Sequence, residues 1–218
     1  MIKIIYFILN WKDRWKKMAD KSDIFFGDDP FQIFKRWFKD ASKTEINDPD
    51  AIALSTVDSD GMPNVRMVLL REIEESSFVF YTNYGSVKST EISNNQKAAF
   101  VWHSKSLRRQ IRVRGQVERE NGRMADLYYQ SRSIKSRVGA WASIQSQPLV
   151  SKAHLLEKVE YFEEKYGDSP SRPPFWGGWR IKPLEIEFWA DGEARLHDRF
   201  RWSRSALENT WDVQRLNP

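Results

Sequence analysis

Cysteine is absent from all 218 residues. That removes disulfides, thiolate metal ligands and a cysteine nucleophile, and it suits a reducing, cytoplasmic compartment. Histidine is almost as scarce. His103, His154 and His197 are far apart in the sequence, which argues against a metal site built within one chain. There is no Gly-x-Gly-x-x-Gly and no Walker-type loop, so a Rossmann or P-loop reading has no basis. No serine sits in a Gly-x-Ser-x-Gly elbow. Long apolar runs are missing too. The stretch from Ile4 to Leu9 is too short to span a membrane, and charged residues rather than a small-residue cleavage site follow it.

What is present is a folding composition: 40% hydrophobic, 30% charged and 14% aromatic, with 10 tryptophans that serve first as core fillers. The net charge of +5 is spread along the chain without a long basic tract. A nucleic-acid-binding barrel would need a clustered basic face with exposed aromatics. The spread favours small phosphorylated molecules over nucleic acid.

Residues 1–28 read as a flexible N-terminal arm, within which Met18-Ala19-Asp20-Lys21 resembles a natural start. Residues 29–218 read as one domain. Asp29-Pro30 opens a helix carrying Phe31, Phe34, Trp37 and Phe38 on one face. Strands are predicted over 51–57, 64–71, 77–83, 98–103 and 110–118. A short helix from Gly85, capped by Ser86, separates the third from the fourth. Helical segments follow over 121–133, 136–146 and 151–166. The last strands are predicted over 176–181, 186–189 and 195–202, with 211–215 as a further candidate. Antiparallel strands with a few helices between them indicate an α+β barrel.

Four constellations carry chemistry. Glu185 to Arg199 alternates, turns at Asp191-Gly192 and alternates again, which predicts a hairpin. On a strand Arg195, His197 and Arg199 would leave one face, either as a solvated basic edge or against something anionic. Arg66 and Arg71 flank Met67-Val68-Leu69-Leu70. Tyr81-Thr82-Asn83-Tyr84-Gly85-Ser86-Val87-Lys88 ends a strand and opens a helix, a setting for a phosphate. Tyr128, Arg132 and Ser136 recur at four-residue intervals, so on a helix they would form a second phosphate clamp. Together they suggest a phosphorylated cofactor beside a phosphorylated substrate.

The closing segment Glu185-Ile186-Glu187-Phe188-Trp189, then Arg195-Leu196-His197-Asp198-Arg199, resembles the C-terminal signature of the pyridoxamine 5'-phosphate oxidases. So do Asn64 to Leu70, Phe80 to Asn83, Arg109-Gln110, Gly139-Ala140-Trp141, Gln145-Ser146 and Phe175 to Gly178. The resemblance runs from about Asp29 to Pro218. It implies an FMN-binding split β-barrel, antiparallel and Greek-key-like, with flanking helices. It also implies a homodimer with FMN at the interface. The implied reaction oxidises pyridoxamine or pyridoxine 5'-phosphate to pyridoxal 5'-phosphate, with O2 as acceptor and H2O2 as product. A flavin- or deazaflavin-binding split barrel with another substrate is the alternative.

Carried over by resemblance, the FMN set is Arg66, Met67, Val68, Leu69, Leu70, Arg71, Tyr81, Thr82, Lys88, Gln110, Gln145, Ser146, Trp189 and Arg199. The substrate set is Arg71, Tyr128, Arg132, Ser136, Arg195 and His197, with Arg195 and His197 over the reacting ring. No metal is implied. Three positions depart from the pattern: Arg71 replaces a usual lysine, Val87 a common arginine that helps hold the FMN phosphate, and Ala190 a polar residue or glycine.

Overall fold

A computed structural model describes residues 24–218. The readings of the apolar stretch at Ile4–Leu9 and of the start-like Met18-Ala19-Asp20-Lys21 lie outside the described residues. Helix α1 (Pro30–Thr44) begins as its sequence predicts: Pro30 occupies the first turn and the Asp29 carboxylate accepts the Phe31 N–H at 2.8 Å. Its apolar face, Phe31, Ile33, Phe34, Trp37 and Ala41, is buried. The Phe34 ring lies 5.0 Å from Phe78 and 5.7 Å from Trp102, and Trp37 lies 5.2 Å from Phe188. Truncating one such aromatic typically costs about 3–5 kcal/mol. Trp37 Nε1 donates to the Ile24 carbonyl at 2.8 Å, and Phe25 packs on Trp37 and Phe200, so the described end of the arm is tied to the core.

The strands are β1 (Ala51–Val57), β2 (Pro63–Ile73), β3 (Phe78–Asn83), β4 (Lys97–Ser104), β5 (Arg109–Glu120), β6 (Trp176–Ala190), β7 (Asp198–Ser203) and β8 (Asp212–Leu216). Between them lie α2 (Val87–Asn95), α3 (Arg123–Ser131), α4 (Ile134–Ala142) and α5 (Lys152–Tyr166). Every pairing is antiparallel. The order is β3-β2-β1-β4-β5-β6, and β3 also pairs with β6, closing six strands into a barrel. The first three strands form a meander and β4 returns beside β1, a Greek-key path. Strands β7 and β8 continue outward from β6.

Strand β6 corrects the sequence reading of two separate strands. It runs unbroken for 15 residues. Its first half pairs with β3, from Asn83↔Trp176 to Phe78↔Ile181, and its second half with β7, from Glu185↔Ser203 to Ala190↔Asp198. Pro183 falls where the β5–β6 register shifts between Arg114 and Gly115. A bulge tolerates a residue without an N–H. Gly115 is required there because a Cβ would collide with the Lys182 and Pro183 backbone.

The predicted tight turn at Asp191-Gly192 is also corrected. The connection takes residues 191–197, with a short 3-10 turn over Glu193–Arg195. Register explains why. A two-residue turn would set Arg195 opposite Phe188 and His197 opposite Ile186, forcing both toward the core. The observed register pairs Phe188 with Phe200 and Ile186 with Trp202, all buried. Burial of two aromatics therefore overrides the local turn signal. Of the three basic residues only Arg199 is on a strand, so the common-face argument for Arg195, His197 and Arg199 does not hold. The predicted continuous helical face through Tyr128, Arg132 and Ser136 fails as well. Helix α3 stops at Arg132 (φ −75°, ψ 152°), and Ser133 caps a new helix by accepting the Ser136 N–H at 3.2 Å.

Helix α5 buries no residue fully. Leu155, Val159 and Phe162 are half-buried, and the Trp141 ring of α4 lies 5.9 Å from Phe162 and 5.0 Å from Tyr166. Among the described residues no helix is long and apolar enough to cross a membrane, and no cluster of His, Asp and Glu could hold a metal ion.

Candidate active site

A cleft of about 1160 Å³ opens between β2, the end of β3, the start of α2 and the α3–α4 junction. Thirteen residues singled out from sequence line it: Arg66, Met67, Val68, Leu69, Arg71, Tyr81, Thr82, Lys88, Tyr128, Arg132, Ser136, Gln145 and Ser146. The helix break therefore separates Tyr128, Arg132 and Ser136 along the chain without separating them in space. Leu70 points into the core instead, at 3% exposure.

Lys88 is 8% exposed. Its Nζ donates to Thr82 Oγ1 and Ser86 Oγ at 3.0 Å and to Gln145 Oε1 at 3.3 Å, three neutral oxygens. Burial, with the positive charge of Arg66 nearby, lowers its pKa to about 8; Glu91 acts the other way. Ser86 takes the N-cap position as expected, but its hydroxyl donates to the Asn83 carbonyl rather than capping α2.

Arg66 is held from behind. Its guanidinium donates to Thr56 Oγ1 and, at 3.2 Å, to Glu91 Oε2, while Asn64 Nδ2 donates to Glu91 Oε1 at 3.1 Å. Burial would raise the Glu91 pKa; hydrogen bonds from Thr56 and Asn64 and the charge of Arg66 overcome this and lower it. Arg71 pairs with Asp50 and lies 5.8 Å from the Tyr128 ring centre.

The other side of the cleft is aromatic. Tyr81 stacks on Tyr128 with ring centres 4.2 Å apart and an interplanar angle of 15°, and lies nearly parallel to Trp176 at 5.7 Å. The Arg132 guanidinium sits 4.9 Å from the Trp176 ring centre. Its buried NH1 has no protein partner, nor has the buried Tyr81 hydroxyl. Burial lowers the Arg132 pKa and raises that of Tyr81. An unpaired buried donor costs about 1–3 kcal/mol. Two such groups in one cleft fit a site that awaits a polar ligand.

The remaining predicted residues lie elsewhere. Gln110 pairs across the sheet with Trp189 on β5 and β6. Arg195 is exposed, in the left-handed region at φ 66°. His197 lies with its ring centre 4.7 Å from that of Trp189. Arg199 donates twice to Glu187 Oε1, at 2.7 and 3.1 Å, and once to the Asn217 carbonyl at 2.9 Å. None of Gln110, Trp189, Arg195, His197 and Arg199 lines the cleft of its own chain.

Residues 38–190 match the family model described as pyridoxamine 5'-phosphate oxidase. The chain belongs to that family. Residues 176–218 match the pyridoxine 5'-phosphate oxidase C-terminal dimerisation region. A pyridoxine/pyridoxamine 5'-phosphate oxidase of Cereibacter sphaeroides is 63% identical over 199 residues, covering 91% of this chain and 100% of the relative. One from a Ruegeria species is 59% identical over 201 residues, covering 92% and 100%. Among solved structures, PhzG from Burkholderia lata, in complex with tetrahydrophenazine-1-carboxylic acid, superposes with a TM-score of 0.83 at 30% identity, covering 88% of this chain and 94% of that one. A pyridoxamine 5'-phosphate oxidase-related, FMN-binding protein from Nostoc punctiforme has a TM-score of 0.71 at 18% identity over 88% and 100%, a likeness of fold. Within the oxidase family match, the first segment contains every cleft-lining residue and the dimerisation region contains Trp189, Arg195, His197 and Arg199.

Sequence reasoning missed several residues that shape the cleft. Trp176 supplies its aromatic wall, and Glu91, Thr56 and Asn64 hold Arg66. Glu91 carried a signal, since it follows Lys88 by one helical turn. Thr56 carried none: its role depends on the β1–β2 register, which sets Thr56 opposite Asn64.

Proposed function

We propose that this chain oxidises pyridoxamine 5'-phosphate or pyridoxine 5'-phosphate to pyridoxal 5'-phosphate. FMN would be the cofactor and O2 the final acceptor. Each turnover would release H2O2, and the amine substrate, with one water, would also release ammonia. The carrying observation is that one cleft holds two cation-and-hydroxyl sets: Arg66 with Lys88, and Arg132 with Ser133 and Ser136 at the start of α4.

The residues fit FMN. Lys88 has neutral oxygen partners and no carboxylate bond, as suits a phosphate ligand, and Arg66 beside it is already oriented by Glu91 and Thr56. Bound FMN would supply the two-electron acceptor for the substrate C4' carbon. Arg132, with its free NH1, and the Ser136 hydroxyl would grip the substrate phosphate, with Tyr128 packed beside them. Arg71, already on Asp50, would add charge with less freedom to reorient. This division gives each phosphate its own cations and fixes the ring between them.

Gln110, Trp189, Arg195, His197 and Arg199 would come from a second copy. The match to a dimerisation region supports this, as does exposed apolar surface beside the cleft: Met62, Val65 and Met67 are 64–66% exposed. In that assembly Arg195 would cover the substrate and His197 would orient its polar groups.

The test supplies purified protein with FMN and either vitamer phosphate in air, beside an Arg195→Ala control. Pyridoxal 5'-phosphate and equimolar peroxide, lost in the control, are expected. FMN-loaded protein that turns over neither compound would overturn the reading and favour a split barrel acting on another substrate.

A further inference from the structure

The connection from β6 to β7 contains a side-chain cluster in which Asp191 and Arg108 have no role in the reading above. Asp191 is its hub. Its backbone N–H donates to the Arg108 carbonyl at 3.1 Å, and its Oδ2 lies 2.8 Å from Arg108 NH2. The other carboxylate oxygen, Oδ1, lies 3.3 Å from His197 Nδ1. The same ring nitrogen is 3.2 Å from the Gly192 N–H. The imidazole is thus enclosed on one edge by Asp191 and Gly192 and on one face by Trp189.

The backbone shows that this geometry is imposed. Ala194 and Arg195 both adopt positive φ, 52° and 66°, and Arg108 does so at 52°. Left-handed backbone at a non-glycine residue costs about 1–2 kcal/mol and persists only where surrounding contacts hold it. Gly192 is required, because a Cβ there would collide with the Leu196 carbonyl. The Asp191–Arg108 bridge joins this strained connection to the β4–β5 turn, which is part of the closed barrel.

We infer that Asp191 is a positioning residue. Anchored on Arg108, it holds the Nδ1 edge of His197 inside the connection, so that Nε2 is the nitrogen presented to substrate. Both partners of Nδ1 serve this purpose. The Gly192 N–H satisfies Nδ1 when it carries no proton, and Asp191 Oδ1 accepts from it when it does. The ring therefore has a held edge in either state, and the Nε2 edge stays free to meet a polar substituent. This inference rests on the proposed placement of His197 at the substrate.

The experiment compares Asp191→Ala, Asp191→Asn, Arg108→Ala and His197→Ala. Ring-nitrogen NMR of 15N-histidine-labelled protein is read in parallel, and the three histidines make assignment direct. Asp191→Ala should shift the His197 ring-nitrogen signals and leave those of His103 and His154 in place. It should lower kcat/KM by about tenfold, since small misplacements of reacting groups are costly, with FMN affinity within twofold of wild type. Asp191→Asn, which keeps an acceptor on Arg108, should recover part of both effects, and Arg108→Ala should reproduce part of the loss. Unchanged His197 signals in Asp191→Ala, or an unchanged kcat/KM while His197→Ala is impaired, would overturn the inference. Full activity in His197→Ala would instead overturn the placement of His197 on which it rests.

Discussion

The cleft and the β6–β7 connection are both rich in cations, and they treat charge in opposite ways. In the connection each basic group but exposed Arg195 has an acid close by: Arg199 has Glu187, and Arg108 and His197 share Asp191. In the cleft Lys88 is buried among neutral oxygens, and Arg132 keeps a buried NH1 without a partner. Arg66 and Arg71 have acids, but these sit behind them and fix their direction. A cation paired within the chain is being aimed, whereas one left underpartnered at a cost in stability is reserved for an anion. Positive charge alone did not separate these two cases in the sequence; the partner of each cation does.

The sharpest way to break this contrast is Arg132→Ala. Losing charge-assisted hydrogen bonds worth roughly 1.5–3 kcal/mol should raise KM for the phosphorylated substrate by about a hundredfold. FMN affinity should barely change. Steady-state kinetics beside an FMN titration would check it, and a change in KM below threefold would mean that the free NH1 marks no substrate site.

Lys88→Gln is expected to act next most strongly, weakening FMN by about tenfold. It also carries a pH signature. With its pKa lowered to about 8 by burial and Arg66, Lys88 in the free protein loses its proton as pH rises through that value. A phosphate prefers the protonated form, so FMN affinity of the wild type should fall above about pH 8, and Lys88→Gln should flatten the profile. Flavin fluorescence quenching from pH 6 to 10 would show whether it does. The same shift means that folding stability of the FMN-free protein rises with pH between about 8 and 10.5, where the unfolded chain still holds the proton.

Ala194→Gly should have the smallest effect. Relief of left-handed strain offsets the added freedom of the unfolded chain, leaving the unfolding free energy within about 1 kcal/mol of wild type. Urea unfolding measures this. A loss well beyond that range would mean that the Ala194 methyl, rather than the Asp191–Arg108 bridge, shapes the connection.

Much of the fold was legible because its signals were local. Asp29-Pro30 marked α1, turn residues such as Asp58-Ser59-Asp60-Gly61 bounded the early strands, and clean alternation marked β5. The two strand misreadings share one cause, long-range register. Pro183 is absorbed by a bulge that depends on Gly115, and the Asp191-Gly192 signal yields to pairing of Phe200 and Trp202 with Phe188 and Ile186. Tyr128, Arg132 and Ser136 do meet in one cleft, but they converge across a helix break rather than along one face. The residues that aim Arg66 and His197 were invisible, since nothing near them in sequence announces Thr56, Arg108 or Asp191 as partners.

Strand β6 also sets the order of events when the chain is made. Phe78 emerges from the ribosome long before its partner Ile181. At about 5–20 residues per second the wait is roughly 5–20 s. Until then β3 and β5 are unpaired edges flanking a meander rich in Phe and Val, the kind of surface that recruits other chains. Closure comes in a single late step, because one strand serves both edges at once. A chain cut between the end of β5 and Trp176 would keep both edges open.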